Sequence, residues 1–199
     1  MNNTDEYKML RNEILENMKS QQQISVTTIS LTVSILTIVG SFKAINPYMF
    51  LIPLLLLLPS AVKIRDLKDG IMTLSGYLIA RYECSSDALL WETNVNKYRK
   101  KYATKRPMLW IALECGEFPI AGIICELLYI EAVLSDIKSV KIIPIVFCIL
   151  STVTVIFLSF ITFNYPNMDP DNIDEKVRRW NNIFEENNVC IISLKRLLK

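Results

Sequence analysis

Four blocks of apolar residues, each about as long as a membrane span, constrain this chain more than any other feature. Residues 24–42 and 142–163 form blocks of 19 and 22 residues without a single charge, close to the ~20 residues that a helix needs to cross the hydrocarbon core of a bilayer. Residues 47–62 and 108–135 form the other two blocks, and charged stretches separate all four. The pattern predicts an all-α fold, a four-helix transmembrane protein built from two hairpins with cytosolic helical extensions.

The alternation of apolar and charged stretches divides the chain into five segments. Tyr7, Leu10, Ile14 and Met18 recur at three- and four-residue spacing near the amino end, which indicates an amphipathic helix. The predicted organisation is a cytosolic amphipathic helix over 1–23, a transmembrane hairpin over 24–64, a cytosolic helical hairpin over 65–107, a second transmembrane hairpin over 108–163 and a cytosolic tail helix over 164–199.

Basic residues are unevenly distributed between the two sides of this arrangement. The short connections inside the hairpins carry Lys43, Lys138 and Lys141, and the other 19 of the 22 basic residues lie in the remaining polar segments. Positively charged segments stay on the cytoplasmic side of a membrane. We therefore expect a multi-pass protein in the lipid bilayer of the bacterial inner (plasma) membrane, with both termini cytoplasmic.

Residue usage argues against most enzyme classes. The chain has no histidine, which removes Ser-His and Cys-His nucleophile pairs and histidine metal ligands. Its five cysteines form no CxxC pair, so neither a zinc site nor a disulfide framework is indicated. Phosphate loops and dinucleotide fingerprints are missing from the sequence, and the net charge of +2 indicates no nucleic-acid partner. The sequence predicts a protein that is not an enzyme, with no cofactor and no metal.

A row of hydroxyl residues follows one face of the first apolar block. Three- and four-residue spacing places the members on one side of a helix. Such a face has two interpretations: close packing between helices, which small hydroxyl residues permit, or the lining of a polar path. The spacing favours packing and leaves the polar path open. The members of this hydroxyl face are Thr27, Ser30, Ser34, Thr37 and Ser41.

Glu126 lies near the middle of the third apolar block, and the charge-free blocks offer no basic residue to pair with it. An ionised carboxylate at that depth is costly, so the group is expected to be protonated, to bind polar partners or to face water. One interpretation is a proton- or cation-responsive site. The other is a structural hydrogen bond between a protonated Glu126 and the hydroxyl face of the first span.

A run of basic residues precedes the third block. The run is suited to anionic lipid headgroups or to a phosphorylated ligand. The favoured explanation is a topology signal that holds its segment on the cytoplasmic side. Its members are Lys97, Arg99, Lys100, Lys101, Lys105 and Arg106.

The opening of the chain, EYKMLRNEIL over residues 6–15, leads through three glutamines into a Ser/Thr-rich span. It resembles a group of small bacterial multi-pass membrane proteins of uncharacterised function, and the resemblance extends over roughly the first 80 residues. The two-hairpin layout is similar to that of membrane effectors of bacterial defence systems. The resemblance implies a bacterial membrane protein and carries over no functional residue.

Three functional hypotheses follow from these features. The first is an oligomeric effector or pore that perturbs the membrane when its cytosolic part receives a protein or small-molecule signal. The second is a small proton-coupled transporter that uses Glu126. The third is a membrane scaffold that anchors a soluble partner. A homo-oligomer is expected, because the amphipathic stripe and the hydroxyl face both need packing partners.

Overall fold

The structure is a computed structural model, and the part of the chain that it describes is almost entirely helical. This part contains no strand, and the all-α prediction is confirmed. Backbone is described for residues 3–42, 46–83, 91–102, 108–135, 142–164 and 170–197. Side chains are described for residues 5–42, 46–83, 91–98, 101, 116–135, 143–164 and 171–185.

The described chain contains six α-helices, one 3₁₀ turn and one π-helical turn. A 3₁₀ turn at Pro47–Leu51 leads into the second helix, and a π-helical turn at Ile79–Glu83 follows it. Pro59 and Pro119 lie inside helices without ending them. The α-helices are α1 (Asn3–Gly40), α2 (Ile52–Leu78), α3 (Trp91–Tyr102), α4 (Met108–Ser135), α5 (Ile142–Phe163) and α6 (Pro170–Leu197).

Helices α1, α2, α4 and α5 each contain a segment long and apolar enough to cross a membrane, and they are the four such helices in the described chain. Many of their large apolar side chains are exposed, among them Leu55, Ile149 and Ile156. Apolar surface on this scale indicates contact with lipid or with another protein. These helices are those of a membrane protein.

Two compact units divide the chain, and each draws on more than one stretch of sequence. The apolar unit contains residues 20–67 and 106–165, and the polar unit contains residues 1–19, 68–105 and 166–199. The predicted boundary between residues 23 and 24 falls inside α1, and the boundary between 64 and 65 falls inside α2. Both helices therefore contribute to both units.

The apolar unit is centred on a cluster of fully buried side chains from α2, α4 and α5, including Leu57, Ala61, Cys125 and Leu158. Gly122 of α4 lies at this contact. A Cβ atom there would meet side-chain atoms of both Val155 and Leu158 at 3.3 Å. Small residues let membrane helices approach closely, and the absence of a side chain at Gly122 allows α4 to pack against α5.

The polar unit has its own core, which joins the amino end of α1 to the carboxyl half of α2. Tyr7 and Ile14 of α1 are buried against Ile71, Leu78 and Tyr82. The amphipathic stripe predicted at the amino end therefore finds its partner within this chain. Met18, the last member of the stripe, stays 37% exposed and takes no part in this core.

Candidate functional site

The hydroxyl face of α1 lies on the surface of the apolar unit. All five members are exposed. The hydroxyls of Ser34, Thr37 and Ser41 each donate to the main-chain oxygen four residues earlier, at 2.7 to 2.8 Å. This bonding satisfies the hydroxyl hydrogens within the helix. The hydroxyl oxygens remain available as acceptors along the exposed face.

A second pair of hydroxyls on α1, which the sequence analysis did not single out, is buried. Thr28 Oγ1 donates to Ser60 Oγ of α2 at 2.9 Å. Thr32 is 2% exposed, and its Oγ1 has no hydrogen-bond partner. Thr32 is also one of the residues that line a groove of about 340 Å³ between α1 and α4, although its Oγ1 is itself covered. The groove is lined by Ile29, Thr32, Val33, Leu36, Thr37, Ala121, Ile124 and Leu128.

The groove borders the hydroxyl face, because Thr37 belongs to both. Its lining is otherwise almost entirely apolar, so it suits the hydrocarbon of a lipid or the side chains of another helix. The groove is therefore an apolar recess that runs beside the exposed hydroxyl face.

Glu126 meets a hydroxyl from the neighbouring span. Thr152 of α5 hydrogen-bonds to Glu126 Oε1, and the same Thr152 Oγ1 donates to the main-chain oxygen of Cys148 at 2.8 Å. Glu126 is half-buried, and Thr152 is exposed. The structural interpretation of Glu126 placed its partner on the first span, but the partner described here comes from the fourth.

The other glutamates of α4 differ from Glu126 in setting. Glu117 is exposed and accepts a hydrogen bond from Ser25 of α1. Glu131 is exposed close to the end of α4. The side chain of Glu114 lies outside the described residues.

The basic run lies on and after α3. Lys97 and Lys101 are exposed on the polar unit. The side chains of Arg99 and Lys100, and the whole of Lys105 and Arg106, lie outside the described residues. Lipid or phosphate binding by this run stays a prediction.

A buried carboxylate in the polar unit escaped the sequence analysis. Glu83, 4% exposed, accepts the Tyr7 hydroxyl at 2.8 Å through Oε1. It also accepts the main-chain N–H of Glu92 through Oε1 at 2.9 Å and that of Thr93 through Oε2 at 2.6 Å. The first N–H groups of a helix have no partner within it. Glu83 thus caps α3 and ties it to both α1 and α2.

Tyr7 precedes the apolar block 24–42, and its surroundings keep the phenol protonated so that it can donate in this network. Burial, together with the hydrogen bond to Glu83, raises the pKa of the Tyr7 phenol well above its ordinary value. Burial and a neighbouring negative charge both disfavour the phenolate. Tyr7 is accordingly protonated and donates to Glu83 across the neutral pH range.

Helix α6 docks on α2 through an aromatic cluster within the polar unit. Trp180 Nε1 donates to the main-chain oxygen of Thr73 at 3.1 Å, and its ring lies edge-on to Tyr77 at 5.1 Å. Gly76 permits this approach, because a Cβ atom there would lie 2.8 Å from Cβ of Lys176. The contact holds the tail helix against α2.

Chemical machinery is not evident in the part of the chain that the structure describes. No three Cys, Asp or Glu side chains within it are grouped closely enough to hold a metal ion. Comparison with protein-family models, with curated proteins and with solved structures found no match. Three features therefore stand out as candidates: the hydroxyl face with its groove, the Glu126–Thr152 pair and the polar unit.

Proposed function

We propose that this protein is a non-enzymatic multi-pass membrane protein that assembles with copies of itself through α1. In the assembly the hydroxyl faces line a polar path or weaken the bilayer when the polar unit receives a signal. The bacterial inner membrane and a role as effector belong to this proposal, as the resemblance of the opening residues implies.

The observation that carries the proposal is the exposure of the hydroxyl face beside the groove between α1 and α4. Exposed side chains on the lipid-facing part of α5 are nearly all apolar, such as Ile149 and Ile156. On α1, five hydroxyls face outward and Thr32 lacks a partner. Small hydroxyl residues of this kind are used at contacts between membrane helices. A second copy of the chain that packs on α1 would fill the groove and cover the hydroxyl face.

Contacts within the polar unit support the two-hairpin topology that the proposal requires. Tyr7 meets Glu83, which supports placing the chain before the first apolar block and the chain after the second on one side of the membrane. Trp180 meets Thr73, which supports the same side for the tail after the fourth block. In the proposed topology each pair of blocks crosses the membrane twice, and the positive-inside rule favours the cytoplasm for the shared side.

Membrane potential in cells that express the protein tests the proposal. We expect induction of the wild type to depolarise the cells. Ser34→Leu and Thr37→Val should abolish most of this depolarisation, because each removes a hydroxyl from the exposed face. Thr154→Val is the matched control: Thr154 of α5 makes the same 2.8 Å bond to its own helix as Thr37, and its loss should leave depolarisation intact.

Other outcomes distinguish the remaining hypotheses. Full depolarisation by both α1 variants would contradict a polar path along that face. An unchanged potential, with pH-driven flux that Glu126→Gln abolishes, would favour the transporter. An unchanged potential, with a bound protein that is lost on deletion of residues 170–197, would favour the scaffold.

A further inference from the structure

The Glu126–Thr152 pair contains more hydrogen bonds than the hydroxyl of Thr152 can donate alone. Thr152 Oγ1 lies within hydrogen-bonding distance of Glu126 Oε1 and of the main-chain oxygen of Cys148. A carbonyl oxygen and an ionised carboxylate only accept, whereas a threonine hydroxyl has one hydrogen. Thr154 and Ser159 of α5 donate to the main-chain oxygen four residues earlier. If the hydrogen of Thr152 is used in the same way, the hydrogen of its bond to Glu126 comes from the carboxyl group.

The surroundings of Glu126 favour the uncharged form of the carboxyl group as well. Its neighbours one turn away on α4 include Ile123, which is 45% exposed, and Leu127 beside it is 60% exposed. Ile149 and Ile156, one turn on either side of Thr152, are exposed too. These side chains belong to spans that meet lipid, where an unpaired charge is expensive.

No basic side chain lies in the apolar segments next to Glu126, since segments 24–42, 47–62 and 142–163 carry no charged residue. Thr152 and Cys148 are the polar groups that α5 brings to the carboxyl group. The other titratable residues whose side chains are described on α4 and α5 are Glu117, Cys125, Tyr129, Glu131 and Cys148.

We propose that Glu126 is a proton-binding site open to the membrane interior, in which the neutral carboxylic acid donates to Thr152 and Thr152 donates to the carbonyl of Cys148. The site takes one proton and no other ligand. A neutral carboxyl group that faces hydrocarbon also reacts with apolar carbodiimides, which partition into lipid. The carboxyl proton moves to one carbodiimide nitrogen, and the carboxylate oxygen bonds to the central carbon. The acyl group then migrates to nitrogen, and nothing leaves.

Infrared spectroscopy tests the protonation state directly. The full-length protein in liposomes should show a carboxylic-acid carbonyl band at neutral pH that is missing from Glu126→Gln. Thr152→Val should shift this band to higher frequency, because the acid loses the acceptor of its hydrogen bond while the side chain keeps its shape. A carboxylate signature in the wild type minus Glu126→Gln difference would overturn the proposal.

Carbodiimide labelling tests the same site in the unaltered chain, so the test does not depend on whether a variant folds. Dicyclohexylcarbodiimide should add its full mass to the peptide that contains Glu126. A charged, water-soluble carbodiimide should leave Glu126 unmodified and label the exposed Glu131, which is the matched carboxylate on the same helix. Labelling of Glu131 alone by the apolar reagent, or of Glu126 by the charged reagent, would overturn the proposal.

The inference is independent of self-assembly through α1. Ser34→Leu should leave the Glu126 adduct unchanged, whatever it does to the membrane potential. Labelling should decrease as pH is raised, since ionisation of the acid removes the reactive neutral form. Labelling that increases with pH would contradict the proposal.

Discussion

Glu83→Ala will lower the free energy of unfolding of the polar unit by about 3 to 5 kcal/mol, since each hydrogen bond to a charged group contributes about 1.5 kcal/mol or more. The substitution removes the acceptor of Tyr7 and of the N–H groups of Glu92 and Thr93. It leaves the buried Tyr7 hydroxyl unpaired and α3 without its cap. Hydrogen exchange should show the loss first at the amides of Glu92 and Thr93.

Asp69→Ala is the matched control for Glu83→Ala. Asp69 is a carboxylate of α2, which precedes the turn that carries Glu83, and it pairs with Lys176 at 2.8 Å, but its side chain is 52% exposed. Exposed ion pairs contribute about 1 kcal/mol or less. Tyr7→Phe should fall between the two, because it removes one hydrogen bond and leaves the cap. Equal losses for Glu83→Ala and Asp69→Ala would show that the Glu83 network does not stabilise the unit.

Gly76→Ala will displace α6 from α2 at a cost of about 1 to 3 kcal/mol, the usual penalty for overpacking a tight contact. The new Cβ would lie 2.8 Å from Lys176 Cβ and 3.3 Å from the backbone of Lys176 and Val177. None of these atoms is the movable end of a side chain, so the helices must separate. Faster proteolysis of α6 and a changed emission of Trp180 should report the separation.

Gly70→Ala provides the comparison on the same helix. A Cβ at Gly70 meets nothing within 4 Å. Alanine there should raise stability by up to about 1 kcal/mol, because glycine is a poor helix former. If Gly76→Ala is also stabilising, the close approach of α6 to α2 at this position is wrong.

Much of the fold follows from the sequence because apolar blocks are local features. The charge-free run at 142–163 is helix α5 from its first residue to its last. The block at 24–42 was also predicted to form a helix. That helix, α1, begins earlier than the block, because it includes the amphipathic residues from Asn3 onward and ends at Gly40. Hydrophobic pattern specifies where a helix is apolar. It does not specify where one unit ends and the next begins.

The parts of the site that the sequence does not reveal depend on contacts between distant residues. Glu83 caps a helix that begins eight residues later and binds a tyrosine 76 residues earlier. Its surroundings in the sequence contain no sign that it is buried. Thr152 is one of several hydroxyls on α5, and only packing of α4 on α5 identifies it as the partner of Glu126.

The hydroxyls of α1 show what helical spacing can predict and what it cannot. Helical spacing was sufficient to group Thr27, Ser30, Ser34, Thr37 and Ser41, all of which are exposed. The same spacing gave Thr28 and Thr32 no special status, yet both are buried. Which face of a membrane helix turns inward depends on its neighbours, since both faces of a span are largely apolar.

The polar unit is made from the beginning, the middle and the end of the chain, and this has a consequence for biosynthesis. The docking of Trp180 on Thr73 cannot occur until the last helix has been synthesised. Until then the surface of α2 around Thr73 and Tyr77 is uncovered, so the polar unit is completed only after α6 has been made.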